Sequence, residues 1–436
     1  MSVQALNLPS APPLSTPTAS PESVGMSSAR LGRIEDHLKR NYIDSGRFPC
    51  TQTLVYRRGK LVHSAVQGLA DVERKVAAKD DTIFRIYSMT KPITSVAFMM
   101  LVEEGRVAID EPVHKYIPEW KNLGVFQAGT APAFLAKPPS RPMLIVDLLR
   151  HTSGLTYGFQ QRSNVDAAYR EKKIGEVVKA GTLEGMIEDL AKIPLEFSPG
   201  EAWNYSVSTD VLGYLIGKIS GMPFEQFLKE RIFNPLGMND TDFFVPAEKA
   251  HRLAACYSAD PGGGFNPLAA DRKGTLTLQD DPVTSSFLSP PSLISGGGGL
   301  CSTVGDYLTF CRALLNGGAL GDIRLLGPKT LKLMTSNHLP GNVDLPAMSR
   351  SLFSEAAYNG MGFGLGFAVT MNPAQTLIAG SPGEYNWGGA ATTSFWIDPA
   401  EELITIFMTQ VLPSSAYPLR RELRTMVYAA ITESNL

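Results

Sequence analysis

Both ends of the 436-residue chain carry a predicted β-hairpin, and this pattern constrains the fold more than any other feature of the sequence. Near the start, TQTLVYRRGKLVHSAVQG contains two β-type runs around Arg58-Gly59, a pair that suits a tight turn. Near the end, TTSFWID and LITIFMTQ flank PAEE in the same way. The two hairpins predict an antiparallel sheet that is built from both ends of the chain.

Each hairpin is accompanied by a predicted helix with one apolar face. Ser27, or the serine after it, is placed to cap a helix on which Leu31, Ile34 and Leu38 share one face. At the other end of the chain, apolar residues recur at helical spacing from residue 418 to about residue 431. Helices of this kind are expected to cover a sheet with their apolar faces.

The middle of the chain has mostly helical spacing, which predicts a helical region inserted between the two parts of the sheet. We therefore expect an α/β fold in which terminal helices flank an antiparallel sheet and a mostly helical domain is inserted. The predicted boundaries are an extended tail at 1–21, an α/β domain at 22–85 and 300–436, and the helical domain at 86–299. The active site is expected between these two domains.

Three stretches of the middle, residues 121–143, 258–292 and 338–360, show no clear helical or strand periodicity. Unstructured connections of this length in a compact domain are usually functional or mobile. We therefore expect irregular structure in all three.

The composition argues against several classes of function. A formal net charge of −2 gives no electrostatic reason to bind nucleic acid or an anionic membrane. The four cysteines lack C-x-x-C spacing and the six histidines lack H-x-x-x-H spacing, so we expect neither a metal site nor a cofactor. The Pro- and Ser-rich N-terminus lacks the apolar stretch of a signal peptide, and no run has transmembrane length, which favours a cytoplasmic protein.

The segment FRIYSMTKPIT, residues 84–94, holds the single Ser-x-x-Lys pair of the chain, Ser88 and Lys91. Apolar residues recur at helical spacing after Ser88, and Pro92 is tolerated only in a first helical turn, so Ser88 is expected at a helix N-terminus. Side chains three residues apart on a helix lie on one face and can touch. A serine becomes a nucleophile when a neighbour accepts its proton, and a lysine with a lowered pKa can be that neighbour.

The Ser-x-x-Lys pair does not establish catalysis by itself, because a chain of this length contains about one such pair by chance. A helix-capping serine with a lysine in the first turn is the commoner explanation. A second segment favours catalysis: a Pro199-Gly200 turn leads to Tyr205 just before a predicted helix, where the phenol can be aimed. The alternative is a tyrosine whose ring simply packs in the core.

A third segment, EYNWGGAATTSFWID, points in the same direction. Here Trp387-Gly388-Gly389 is predicted to lead directly into a strand. Paired glycines at a strand edge allow a ligand to approach the backbone closely, although a simple bulge would also account for them.

These segments, taken together and in order, resemble the serine β-lactamase and penicillin-binding-protein superfamily, and within it the class C-like esterases known as family VIII carboxylesterases. The similarity extends from about residue 22 to the end of the chain. It rests on FRIYSMTKPIT, LLRHTSGL, SPGEAWNYS, SGGGGLCSTVGDYLTF, GFGLGF and WGG. The resemblance implies a β-lactamase-like α/β fold with an inserted helical domain.

The resemblance also implies roles for individual residues. Ser88 would be the nucleophile, Lys91 its proton acceptor, and Tyr205 the partner that relays protons to the leaving group. The backbone N–H groups of Ser88 and Ala390 would form the oxyanion hole. No metal or cofactor takes part in this scheme.

Two departures from the superfamily pattern favour neutral esters over β-lactams. Lys-Thr-Gly is the usual strand motif, whereas this chain has Trp387-Gly388-Gly389 as its expected substrate-binding segment. Losing the lysine removes a charge-assisted contact with a carboxylate, and a tryptophan favours an apolar group. Val207 stands where penicillin-recognising enzymes commonly have asparagine. We therefore expect a serine carboxylesterase that hydrolyses small esters with short or medium acyl chains.

Other functions are consistent with the same residues. An acyltransferase would share the acylation step and differ only in the acceptor. A β-lactamase, a D-amino peptidase and a non-catalytic scaffold are further alternatives, and the oligomeric state is not predicted. An α/β-hydrolase is disfavoured because the chain has no G-x-S-x-G, and HTSGL, which contains His151 and Ser153, is interpreted as a turn. The GGGGL run lacks a P-loop continuation and precedes a predicted capping pair, Thr303 and Asp306.

Overall fold

The computed structural model describes residues 17–176, 181–260, 275–350 and 359–436. The described strands are β1 (Cys50–Arg57), β2 (Lys60–Asp71), β3 (Val76–Ala77), β4 (Phe84–Arg85), β5 (Val125–Thr130), β6 (Ala133–Lys137), β7 (Cys256–Ser258), β8 (Thr277–Asp280), β9 (Cys301–Ser302), β10 (Ala319–Leu320), β11 (Ile323–Arg324), β12 (Met361–Phe363), β13 (Ala368–Thr370), β14 (Tyr385–Gly388), β15 (Ser394–Asp398), β16 (Leu403–Met408) and β17 (Val411–Leu412). The described α-helices are α1 (Ser28–Leu38), α2 (Thr90–Glu103), α3 (Ile145–Leu149), α4 (Asn164–Glu171), α5 (Leu183–Leu190), α6 (Ser208–Ser220), α7 (Phe224–Leu228), α8 (Asn234–Leu236), α9 (Val304–Leu315), α10 (Pro328–Met334), α11 (Leu345–Met348), α12 (Pro373–Thr376) and α13 (Leu419–Ala429).

Within the described residues, eight strands form one antiparallel sheet in the order β12-β13-β14-β15-β16-β1-β2-β3. Both predicted hairpins are present: β1 pairs with β2 around Arg58-Gly59, and β15 pairs with β16. The two hairpins join through β1 and β16, with Thr53 opposite Phe407. The prediction that both ends of the chain build the sheet is therefore confirmed.

Helices cover both faces of this sheet, so its central strands are buried on both sides. Successive residues of a strand point to opposite faces. On β1, Leu54 belongs to a large core that includes α2 and α9, whereas Val55 packs with α1 and α13. The predicted terminal helices are confirmed, including the cap, because the Ser27 side chain accepts a hydrogen bond from the N–H of Arg30.

The central helix α2 begins two residues after Ser88 and is surrounded by protein. Every residue from Thr90 to Leu101 is buried, because α6 and α7 pack against the helix and the large apolar core surrounds the rest of it. A helix that is apolar on all sides is expected to lie inside a core. None of the helices in the described ranges is both long and apolar enough to cross a lipid bilayer.

The expectation of three irregular stretches is only partly right. Residues 121–143 contain the hairpin β5–β6, whose two strands pair from Val125 opposite Lys137 to Thr130 opposite Ala133. Small residues and a proline at the turn hid its periodicity. Parts of the other two stretches, 261–274 and 351–358, lie outside the described residues, as does most of the predicted tail, 1–16. The predicted domain boundaries stay a prediction.

A fully buried arginine, Arg57, ties the two ends of the chain together. Its guanidinium donates hydrogen bonds to the carbonyls of Val24 (2.9 Å), Gly25 (2.8 Å) and Glu433 (2.8 Å). It also pairs with the buried carboxylate of Glu401. One cation thus satisfies acceptors from both termini and from the turn between β15 and β16.

Replacing Arg57 by methionine is expected to lower the free energy of unfolding by about 3–5 kcal/mol, since Glu401 and three carbonyls would lose their buried partner. Urea denaturation of the purified variant measures this loss. Lys60→Met, on an exposed position of the same hairpin, serves as the control and should change the free energy of unfolding by less than about 0.5 kcal/mol. If Arg57→Met lowers the free energy of unfolding by less than about 1 kcal/mol, Arg57 does not hold the two chain ends together as described.

Candidate active site

Ser88 lies on a tight turn between a short strand and the central helix. The strand β4 pairs with β9, and the N–H of Ile86 continues this pairing by donating to the carbonyl of Leu300 (3.0 Å). The next residue, Tyr87, has a positive φ of 42°, an unusual conformation for a bulky residue. A 3₁₀ turn, Tyr87–Met89, then leads into α2. The predicted place of Ser88 at a helix start is therefore right to within one turn.

Three polar groups converge at this turn. The Tyr205 hydroxyl donates a hydrogen bond to Ser88 Oγ over 2.7 Å, and Lys91 Nζ donates to the same oxygen over 3.3 Å. Lys91 Nζ also lies 4.4 Å from the centre of the Tyr205 ring. Ser88 itself is only partly buried, so a substrate can reach it. The structure thus brings together the three side chains that the sequence singled out.

Lys91 is 2% exposed, and its amine is held by protein acceptors. Besides Ser88 Oγ, it donates to the hydroxyl of Tyr157 (3.1 Å) and to the carbonyl of Gly297 (2.7 Å). These contacts come from three different segments of the chain and hold the nitrogen from several sides. The amine is therefore fixed in direction toward Ser88.

Tyr205 is aimed by the turn that precedes α6. The Asn204 side chain donates to the carbonyl of Leu155 (2.9 Å), and its N–H donates to the carbonyl of His151 (2.9 Å). The predicted Pro199-Gly200 turn is present, with Gly200 at a φ of 88°. These hydrogen bonds anchor the residue before Tyr205, whose hydroxyl is directed at Ser88 Oγ.

An aromatic cluster surrounds the Tyr205 ring. Its members lie with ring centres between 5.0 and 6.2 Å from Tyr205, and they are His151, Tyr157, Trp203 and Trp387. Aromatic pairs at such distances are favourable beyond the apolar area that they bury. The cluster therefore makes one wall of the site rigid and apolar.

The glycine run 296–299 passes behind Lys91 in close contact with α6. A Cβ atom on Gly297 would lie 2.5 Å from Asp210 Oδ2 and 3.0 Å from the Tyr157 hydroxyl. The N–H of Gly297 donates to Asp210 Oδ1 (3.1 Å), and the Ser295 hydroxyl donates to the same oxygen. The run is therefore a close-packing segment that presents a carbonyl to Lys91.

The predicted capping pair after the glycine run is confirmed, because Thr303 Oγ1 accepts a hydrogen bond from the N–H of Asp306 (3.2 Å).

Trp387 and Gly388 lie inside a strand, which corrects the prediction that they lead into one. They end β14, where Trp387 pairs with Phe395 and Gly388 with Ser394. Two glycines look like a break in the sequence, but the backbone ladder continues through the first of them. The Trp387 ring is 2% exposed and packs against Tyr205 at 5.5 Å. Its predicted contact with substrate stays a prediction.

Ala390 follows this strand and lies beside the turn that carries Ser88. A Cβ atom on Gly389 would lie 2.4 Å from the Ile86 carbonyl oxygen, so the two backbones touch. Ala390 packs against an apolar cluster that includes Tyr87. Its N–H donates to no acceptor within the four described ranges. This placement is compatible with an oxyanion hole formed with the N–H of Ser88.

Two neighbouring groups are uncharged at neutral pH. Burial lowers the pKa of His151 well below its usual range, and the positive charge of Lys91 lowers it further. Burial raises the pKa of Tyr157 well above its usual range, and the negative charge of Asp210 raises it further. His151 shares a hydrogen bond with Ser206 (3.2 Å), a contact suited to a structural role.

Ser153, the serine of the HTSGL turn, is enclosed by protein. Ser153 is fully buried, and its hydroxyl shares a hydrogen bond with that of Ser208 (2.8 Å), so a substrate cannot reach it. Among the described residues, no group of three or more His, Cys, Asp and Glu side chains is arranged to hold a metal ion. What the site offers is a nucleophile with an amine and a phenol in contact with it, a set suited to acyl transfer.

Comparison with known proteins agrees with this chemistry. The family model described as Beta-lactamase matches residues 34–429. The chain belongs to the beta-lactamase family. Esterase EstB of Burkholderia gladioli is 29% identical over 423 residues, which cover 95% of this chain and 98% of EstB. Protein Rv1367c of Mycobacterium tuberculosis is 34% identical over 377 residues, which cover 86% of this chain and 88% of that relative.

A solved structure shows the same fold. EstCE1, described as a hydrolase with promiscuous acyltransferase activity, has a TM-score of 0.74 at 25% identity and covers 93% of this chain and 99% of its own. With the family match, these similarities identify the chain as a serine hydrolase of the beta-lactamase fold.

Sequence reasoning missed three contributors to this beta-lactamase-family site. Tyr157 and the carbonyl of Gly297 both contact Lys91, and Asp210 holds Gly297 in place. Tyr157 follows the HTSGL turn with no local signal that marks it. The glycine run was a visible signal, since four successive glycines indicate close backbone approach, but nothing in the sequence showed which residue they approach.

Gly297→Ala is expected to lower kcat for a p-nitrophenyl ester by about 10²-fold, because the added methyl group would move the carbonyl that holds Lys91. The matched control is Gly32→Ala in α1, where a Cβ atom meets nothing within 4 Å. Steady-state kinetics and thermal unfolding of both variants check the prediction. Wild-type kcat in a correctly folded Gly297→Ala variant would refute the role of this carbonyl.

Proposed function

We propose that this serine hydrolase is a carboxylesterase that forms an acyl-enzyme on Ser88. The observation that carries the proposal is the convergence of Lys91 Nζ and the Tyr205 hydroxyl on Ser88 Oγ, at 3.3 and 2.7 Å. Neither contact follows from folding alone, since an isolated capping serine needs neither an amine nor a phenol.

The proposed reaction has two halves. In acylation, Ser88 Oγ attacks the ester carbonyl while Lys91 accepts the serine proton, and Tyr205 delivers a proton to the departing alkoxide. The N–H groups of Ser88 and Ala390 stabilise the oxyanion of the tetrahedral intermediate. In deacylation, water takes the place of the alcohol, and the same groups move the proton in the opposite direction. An acid and an alcohol are released, and the enzyme is unchanged.

The proposed substrates are neutral esters with short or medium acyl chains. The Trp387 ring packs against Tyr205 where related enzymes place the lysine of Lys-Thr-Gly, so the strand supplies no cation to a substrate carboxylate. Val207 is fully buried and contributes no polar group. The aromatic wall beside Ser88 favours apolar groups on the ester.

Acyl transfer to an alcohol is the second candidate. The same acyl-enzyme serves both reactions, and the acceptor alone distinguishes them. The structural relative EstCE1 is described as a hydrolase with promiscuous acyltransferase activity, which is the observation that favours this candidate. The name of EstB favours hydrolysis of esters.

Kinetics on a series of p-nitrophenyl esters from C2 to C12 and on nitrocefin tests the substrate class. We expect the highest kcat/KM among the esters of short or medium chain length, and a value for nitrocefin at least about 10²-fold lower, because the anionic lactam lacks its cation. Ser88→Ala supplies the blank, and its unchanged thermal unfolding confirms that the fold is intact. A kcat/KM for nitrocefin above that of every ester would overturn the proposal.

A further inference from the structure

The turn that carries Ala390 is held from behind by an arginine of the C-terminal helix. Arg420, in the first turn of α13, donates from one guanidinium nitrogen to the carbonyl of Gly389 (2.9 Å) and to that of Thr393 (2.8 Å). These carbonyls begin and end the connection between β14 and β15. A single cation thus closes the turn on the face of the sheet opposite Ser88.

The guanidinium lies directly against the glycine of the strand end. A Cβ atom on Gly388 would lie 2.5 Å from Arg420 Nη2 and 2.6 Å from its Cζ. Any residue other than glycine would therefore collide with the arginine. The Thr393 carbonyl oxygen would lie 2.9 Å from the same Cβ atom, so the backbone and the guanidinium together restrict this position to glycine.

The other side of the turn rests on the segment before the nucleophile. A Cβ atom on Gly389 would lie 2.4 Å from the Ile86 carbonyl oxygen, and Thr393 Oγ1 donates to that oxygen over 3.5 Å. The turn is therefore held between Ile86 on the Ser88 side and Arg420 on the helix side.

Because a peptide unit is planar, these contacts also fix the direction of one N–H group. The carbonyl of Gly389 and the N–H of Ala390 belong to the same planar, trans peptide unit, so they point in opposite directions. Because the carbonyl points at Arg420, the N–H of Ala390 points away from α13 and toward the side of Ser88. A cation on the carbonyl also polarises the peptide unit and strengthens the N–H as a donor.

We propose that Arg420 is a positioning residue for the oxyanion hole, which it serves by fixing the Gly389–Ala390 peptide unit. The proposal rests on the proposed function, since it assigns the N–H of Ala390 to the oxyanion. Arg420 does not touch the substrate. It acts through the backbone. Its removal should weaken stabilisation of the transition state and leave substrate binding nearly unchanged.

The test compares Arg420→Ala and Arg420→Lys with Arg421→Ala. Arg421 is the matched control, because it is the next residue of α13 and is exposed. For Arg420→Ala we expect kcat to fall by about 10–10²-fold with KM within about threefold, since a misdirected oxyanion donor costs up to that amount. Arg420→Lys keeps the charge and should lose less, and Arg421→Ala should match the wild type.

A second measurement separates positioning from general loss of structure. A trifluoromethyl ketone forms a tetrahedral adduct whose oxyanion needs the oxyanion hole. An ether analogue of the substrate has no carbonyl group and binds without forming an oxyanion. Arg420→Ala should bind the ketone at least about 10-fold more weakly and the ether within about threefold of the wild type. Added methylguanidinium should restore part of the lost activity in Arg420→Ala and none in Ser88→Ala.

Gly388→Ala offers an independent approach to the same contact. The added methyl group displaces the guanidinium, so the loss of kcat should repeat most of that in Arg420→Ala, and the double variant should lose little more than either single variant. If the losses of kcat in the two single variants add fully in the double variant, Gly388 and Arg420 do not act through one contact.

The outcomes separate this inference from the proposed function. A wild-type enzyme that is acylated on Ser88, with Arg420→Ala at the wild-type kcat or with equal losses of ketone and ether binding, would overturn the role of Arg420 alone. A wild-type enzyme that is not acylated on Ser88 would overturn the proposed function itself.

Discussion

The burial of one amine organises the rest of the site. Lys91 is almost completely buried, and a buried amine is costly unless its polar hydrogens find acceptors. The acceptors come from the same turn, from Tyr157 and from the carbonyl of Gly297, which is 206 residues away in the chain. The central helix, the glycine run and the segment that carries Tyr157 must therefore all be in place before Lys91 can point at Ser88. Catalytic geometry and correct folding depend on the same contacts.

The turn before Ser88 and the turn that carries Ala390 contact each other through their backbones. The strand that ends in Gly388 and the turn before Ser88 approach so closely that a methyl group on Gly389 would overlap the Ile86 carbonyl. The sheet is closed by the two ends of the chain, and Arg57 fixes those ends to each other. Ser88 belongs to one side of this contact and the N–H of Ala390 to the other, so the sheet fixes the position of the proposed oxyanion donor relative to Ser88.

Local patterns in the sequence predict much of this arrangement. Period-two hairpins, the capped helix after Ser27 and the three-residue spacing of Ser88 and Lys91 are all confirmed, because each depends on neighbours within a few residues. The contacts that the sequence missed join distant segments: Lys91 with Tyr157, and Arg420 with Gly389. The hairpin β5–β6 escaped notice because its alanines and glycine carry no periodicity. The end of β14 was misplaced because pairing across the sheet overrides the local preference of glycine for turns.

The central claim is that Lys91 makes Ser88 the reactive nucleophile of this fold, and the site and rate of phosphonylation by a fluorophosphonate ester test it most directly. Peptide mapping by mass spectrometry should find the adduct on Ser88 in the wild type. In Lys91→Met, with unchanged thermal unfolding, labelling should be at least about 10²-fold slower, which is the usual contribution of general-base assistance. An adduct on another serine, such as Ser153, or labelling of Lys91→Met at the wild-type rate would contradict the account.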